Sequence, residues 1–464
     1  MTLAAPALWW LRRDLRLADN PALTAALSGG GPLIPVFVLD PETETLGAAA
    51  KWRLGQGLRA LANSLAGYGS RLVLRRGPAV EVLTALAAEC GARAVHWNRH
   101  YDAPSRERDT RVKSALRAAG TSAESHAGLL LAEPFAIRSG AGGPYRVFTP
   151  FWRALRARDP GLPLASPPRL PGPAIWPRSD DLADWALDAP VARGGTVLAR
   201  HHQPGEAAAL QRLEGFVAGG LAGYAEARDH LGMPGCSGLS DCLSLGEIGP
   251  RQVWARVMAA RQAGNPGAEA FLRQLGWRDF AWHLLYHFPA LERDNWRPEW
   301  QGFGWRGDND DARAWARGRT GVEVVDAAMR ELYVTGRMHN RARMIVASYL
   351  TKHLLTDWRI GLRWFADCLT DWDAASNALG WQWVAGSGPD AAPYFRIFNP
   401  DGQAARFDAA GRYRAHWLQG AGAADWQAAT PRCWRHEPRP EAPALSLAEG
   451  RARALRAYED WRRA

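Results

Sequence analysis

The chain has 464 residues, with 57 Lys and Arg against 47 Asp and Glu and a formal charge of +10. Its length excludes a single small core, and its charge favours a polyanionic partner, nucleic acid or an anionic membrane surface. No run of about 18 apolar residues occurs, which argues against a bilayer-spanning helix, and five cysteines without C-x-x-C spacing argue against a disulfide framework or a cysteine zinc site.

The start, Met1 to Trp10, has no charged region before its apolar stretch, so no signal peptide and a cytoplasmic location are expected. Apolar runs at Leu8 to Trp10, Leu33 to Leu39, Leu72 to Leu74 and Ala94 to Trp97 alternate with helix-like stretches such as Ala48 to Tyr68 and Pro78 to Glu89. That alternation predicts an α/β domain over residues 1–130 with a parallel, Rossmann-like sheet. The first strand runs into Arg12, Arg13 and Asp14 with no G-x-G-x-x-G, which argues against a conventional dinucleotide site and a nicotinamide enzyme. Proline and glycine crowd residues 159–190, so 131–205 is read as an inter-domain connection. Residues 206–464 are helix-periodic and predict a large all-α domain, ending in a helix near Ser446 to Trp461.

Four constellations could carry chemistry. Asp373, Asn377 and Trp381 recur at helical spacing and would line a polar aromatic ligand, or else cap, solvate and pack a helix. Asn340, Arg343 and Met344 would present an amide, a guanidinium and a thioether on one face, or an Arg-rich helix start with a core Met. Gln274, Trp277 and Arg278 share a face, and an indole beside an amide suits an unstacked base as well as it suits a core helix. The loop Pro234 to Ser240, preceded by Tyr224 and Arg228, could cradle a phosphate or be an ordinary turn with a Ser N-cap. The 23 Trp fit packing, base stacking or electron handling.

In this order the segments resemble the photolyase/cryptochrome family, most nearly a class I cyclobutane pyrimidine dimer photolyase. The resemblance rests on Trp9 to Arg16, Gly318 to Gly321, Val325 to Leu332, Met338 to Arg341, Leu379 to Trp383 and Asp390 to Pro400. It implies an N-terminal antenna-type domain and a helical domain holding FAD beneath a DNA-facing cavity. The function implied is light-dependent repair of UV-damaged DNA, in which reduced FAD passes an electron to a flipped dimer. The protein would act as a monomer, with no membrane role.

By the same resemblance, Tyr224, Cys236, Ser237, Gly238, Leu239, Ser240, Arg343, Asp371, Asp373 and Asn377 would bind FAD. Trp381, Trp358 and Trp305 would form an electron chain from flavin to surface. Arg228, Gln274, Trp277, Asn340, Arg341, Met344, Trp383 and Gln403 would surround the dimer and its phosphates, with the indoles of Trp277 and Trp383 as its walls. Asn340 stands where relatives acting on (6-4) photoproducts carry a second histidine, which favours cyclobutane dimers. Two positions depart from the pattern: Gln274 where most such enzymes have Glu, and Cys236 where Thr is usual. Asp102 lies near a position used by folate-binding relatives, but Glu292 and Arg293 differ from one such branch, so methenyltetrahydrofolate, 8-hydroxydeazaflavin and no antenna all remain open. A cryptochrome photoreceptor is the principal rival and a dark flavin oxidoreductase the second.

Overall fold

The computed structural model describes residues 5–390, 395–435 and 439–463. Its one sheet has five strands, β1 (Ala7–Leu11), β2 (Leu33–Leu39), β3 (Val73–Arg76), β4 (Ala94–Asn98) and β5 (Ser122–His126), all parallel in the order β3-β2-β1-β4-β5. Every residue of β1 and β2 is buried, as a parallel sheet covered on both faces requires. Neighbouring Trp9 and Trp10 enter the cores on opposite faces because successive strand side chains alternate. Helices Pro21–Ser28, Ala48–Gly67, Ala79–Cys90 and Ala103–Ala118 connect the strands.

The four expected strands are present, and β5 is a fifth that the apolar pattern does not announce. Its sequence Ser-Ala-Glu-Ser-His buries only Ala123, which is compatible with its place at the sheet edge. The strand order reverses between β1 and β4, the place where such sheets usually open a ligand crevice. Here side chains fill it: Arg12 Nη1 donates to Asp109 at 2.7 Å and Asn98 Nδ2 donates to Asp14 at 2.6 Å.

Residues 157–181 hold neither helix nor strand, although the Phe148–Arg156 helix precedes them. From Glu206 onward the regular elements among the described residues are all helical, with the last at Leu447–Arg463. Among the described residues no helix is long and apolar enough to cross a membrane.

Buried charges join the helices to the sheet region. Arg53 Nη1 donates to Glu247 at 2.8 Å, and Asp241 pairs with His202 at 3.1 Å and Arg337 at 2.6 Å. Arg13, just beyond β1, donates to the carbonyls of Ser244 at 2.6 Å and Trp372 at 2.7 Å. Gly246 makes that approach feasible: its φ is +66°, and a Cβ there would lie 2.1 Å from the Arg13 carbonyl oxygen. The segment carrying Asp371 and Asp373 is thus pinned from behind.

Candidate functional site

Four of the candidate flavin residues, Arg343, Asp371, Asp373 and Asn377, come together through two short hydrogen bonds and their place in the chain. Asp373 caps the Ala374–Ala385 helix by accepting from Ser376 N at 2.8 Å, and its other oxygen accepts Trp282 Nε1 at 2.9 Å. One turn on, buried Asn377 donates its Nδ2 to the Asp373 carbonyl at 2.9 Å. Arg343 Nη2 meets Asp371 Oδ2 at 2.7 Å, and Arg343 Nε donates to Met338 O at 2.9 Å. Asp371 Oδ1 is buried and accepts no hydrogen bond among the described residues. A buried carboxylate oxygen left without a donor is costly, so this atom fits a donor supplied by a bound group.

The Cys236–Ser240 loop lies beside this group. Cys236 Sγ is 3.8 Å from the Arg228 carbonyl and 3.5 Å from His339 Nε2. His339 Nδ1 accepts from Arg341 N at 3.1 Å, so its proton belongs on Nε2, facing the sulfur. Burial lowers the His339 pKa to about 4, which keeps it neutral. The sharp turn runs through Gly238 (φ +64°), whose carbonyl accepts from Arg212 at 2.9 Å. Leu239, rather than a serine, takes the cap position, with Ser240 the first residue of the Ser240–Leu245 helix; Ser237 Oγ accepts from Leu239 N at 3.4 Å. Tyr224 is buried, with the Arg228 guanidinium 5.5 Å from its ring centre.

The tryptophan series changes exposure along its length. Trp381 and Trp358 are buried, whereas Trp305 is half-buried. Trp381 packs edge-on against Phe365 with ring centres 4.9 Å apart, and a Cβ on Gly361 would run into its ring. Trp358 Nε1 donates to Asn295 at 2.9 Å. Trp305 stacks on Trp300 at 5.6 Å, and its Nε1 has no hydrogen-bond partner among the described residues.

On the proposed DNA side, Trp277 is half-buried and lies flat on Phe148, ring centres 3.7 Å apart. Gln274 lies one turn earlier on the Ala268–His287 helix and is also half-buried, while Arg278 turns away to the Leu129 carbonyl at 2.8 Å. Trp383 Nε1 donates to Asp390 O at 3.0 Å. Desolvation raises the pKa of the Asp390 carboxyl, opposed by the nearby Phe148 backbone and Arg273. Trp277 thus rests directly on Phe148, whereas Trp383 is held by the Asp390 backbone. Asn340 is exposed with Met344 Sδ 4.0 Å from its Nδ2, so Arg343 parts from these two and serves the Asp371 side instead. Arg341 pairs with Asp229 at 2.8 Å and covers Phe407, which shares the Pro400–Phe407 helix with Gln403. Gln403 Oε1 is buried without a partner among the described residues. Ala391 to Tyr394 of the Asp390 to Pro400 string lie outside the described residues.

Sequence reasoning missed Phe148 and Asn295, which come from distant segments and carry no local signal, and also Arg273 and Asp229, the chain neighbours of Gln274 and Arg228. At the candidate antenna positions Asp102 caps the Ala103–Ala118 helix, and burial with the nearby Asp102 charge raises the Glu292 pKa to about 7.

A model of the DNA photolyase family matches residues 7–171, and one of the FAD binding domain of DNA photolyase matches residues 271–459. A deoxyribodipyrimidine photo-lyase of Agrobacterium fabrum is 47% identical over 411 residues, 88% of this chain and 86% of that protein. Cryptochrome-2 of Arabidopsis thaliana is 35% identical over 92% of this chain but only 72% of its own length. Among solved structures, a bacterial class III photolyase from Agrobacterium tumefaciens superposes with a TM-score of 0.92 at 42% identity, covering 100% of this chain and 99% of its own. The subclass named for that structure is thus class III, whereas the resemblance read from sequence was to class I. With both family models and full-length relatives in agreement, the chain belongs to the cryptochrome/DNA photolyase family.

Proposed function

We propose that this chain is a deoxyribodipyrimidine photo-lyase that repairs UV-damaged DNA in the light, with FAD as its cofactor and cyclobutane pyrimidine dimers as its lesion. The observation that carries this reading is the half-buried indole of Trp277, stacked on Phe148 with half-buried Gln274 one turn earlier on the same helix. The domain division at 130 and 205, a monomeric state, a cytoplasmic location and the site assignments are part of the same proposal.

Asp371 Oδ1 and the Cys236–Ser240 loop would hold FAD, with Arg343 orienting the Asp371 carboxylate. When bound, FAD supplies the light-driven electron that opens a cyclobutane ring. Trp277, backed by Phe148, would stack one flipped pyrimidine and Trp383 the other. Gln274 and Asn340 would offer amide N–H groups to the lesion's carbonyls and, unlike Glu or His, no acidic proton. Arg228 and Arg341 would engage phosphates, and the outward series Trp381, Trp358 and Trp305 would let an oxidised site move to the half-buried Trp305.

The test is illumination with blue or near-UV light of the purified, reduced flavoprotein with a thymine-dimer oligonucleotide. Dimers split to monomers support the proposal. Persistent dimers beside fully reduced flavin would favour the cryptochrome reading, which the 35% identity to Cryptochrome-2 keeps in view.

A further inference from the structure

Away from this site, the edge of the sheet brings two histidines and a carboxylate together. His96 in β4 stands directly opposite Glu124 in β5, and His126 lies two residues further along β5, so all three project from one face. His96 Nδ1 and His126 Nε2 are 3.1 Å apart, and Glu124 Oε2 is 3.9 Å from His96 Nδ1. Among the described residues this is the one group of three or more His, Cys, Asp or Glu whose ligand atoms converge within 4.8 Å.

We propose that His96, Glu124 and His126 form a binding site for a divalent ion of the zinc type, which ties the edge strand β5 to β4. Two Zn–N bonds of about 2.0–2.1 Å at a tetrahedral angle place their nitrogens about 3.3 Å apart, so the imidazoles already stand near the required separation. Glu124 has an exposed side chain, free to close the remaining distance, and water would complete the set. Burial lowers the pKa of both imidazoles, that of His126 to about 4, so each ring keeps a lone pair at neutral pH. The helix covering this face, Pro21–Ser28, carries no charged side chain. Of the nearby cations, Arg99 is committed to Glu133 at 2.6 Å and Lys113 to Ser125 Oγ at 2.8 Å. The backbone ladder already pairs β5 with β4, and two imidazoles and a carboxylate on one ion add a side-chain bridge between the two strands.

The test is calorimetric titration of the chelator-stripped full chain with Zn2+, repeated spectroscopically with Co2+. One equivalent per chain is expected. It should be lost in His126→Gln and His96→Gln and weakened at least roughly tenfold in Glu124→Gln, since even outer-shell changes cost 10- to 100-fold. The Co2+ spectrum should show a ligand-field band without thiolate charge transfer, and Zn2+ should raise the melting temperature of the wild type but not of the histidine variants. Absence of Zn2+ binding, unchanged binding in the variants, or a thiolate band from exposed Cys236 or Cys433 would overturn the proposal. Flavin absorbance reports the fold of each variant. If buried His96 does not tolerate change, His126→Gln and Glu124→Gln decide.

Discussion

The indole of Trp277 rests on the Phe148 ring at a centroid distance of 3.7 Å with the planes 8° from parallel. Phe148 is itself 1% exposed and begins the helix of the connecting segment. One face of the indole is therefore held by buried structure, which orients the ring before any base arrives.

Trp277→Ala should lower affinity for a dimer-containing oligonucleotide roughly 5- to 150-fold, the range given by about 1–3 kcal/mol per stacked base. Phe148→Leu keeps the indole but removes its aromatic backing, worth about 0.5–1.5 kcal/mol, and should cost roughly 2- to 10-fold. Fluorescence anisotropy measures both, with flavin content unchanged. Wild-type affinity in Phe148→Leu would show that the backing does not orient Trp277.

Asp371→Asn removes the charge facing Arg343 and should lower FAD affinity at least roughly tenfold, because an ion pair broken on one side leaves the other charge uncompensated. The readout is flavin retained through gel filtration. Full retention would dismiss Asp371 as a cofactor residue.

Trp358→Phe deletes the middle indole and its bond to Asn295. Photoreduction of the oxidised protein should slow more than roughly tenfold, about 1.4 kcal/mol in barrier. Repair by chemically pre-reduced protein should stay the same. A parallel fall in both would indicate that Trp358 matters for folding rather than for electron supply.

Gln274→Glu introduces a carboxyl able to share a proton with the lesion as negative charge builds up. Dimers split per absorbed photon should increase, with binding within about 1 kcal/mol of wild type. An unchanged yield would remove Gln274 from the list of residues that limit repair.

Asp279 connects acidity to stability. Its buried carboxyl accepts from Leu131 N at 2.7 Å and Ala132 N at 3.1 Å, yet desolvation, opposed by Arg278, raises its pKa to about 7. Unfolded, it releases its proton near pH 4. Between about 4 and 7 folding takes up a proton, so this group's contribution to stability falls as pH rises through that window and levels off above it. Melting curves from pH 4 to 8 should show that decline flattened in Asp279→Asn. An identical slope in the variant would assign the pH dependence to other carboxyls, such as Glu331, whose pKa burial also raises to about 7.

Local pattern was enough for the α/β alternation, the helical second half and the lack of a Gly-rich nucleotide turn, because each depends on neighbours within one turn or one strand; the Asp373 cap stood there only as the alternative to a ligand-lining column. The family's strings, from Gly318-Arg319-Thr320-Gly321 to Leu379-Gly380-Trp381-Gln382-Trp383, carried the resemblance from which the candidate flavin and lesion residues, spread from Tyr224 to Gln403, were inferred. Polar β5 was not legible, since an edge strand needs no apolar alternation. Tertiary packing alone set Phe148 behind Trp277, turned Arg343 from the Asn340 face to Asp371, and placed His96 across from Glu124 and His126. Sequence determines which faces are apolar and where the backbone caps and turns; which distant side chains then meet is decided by the packing of whole elements, and the chemistry of these sites lies in those meetings.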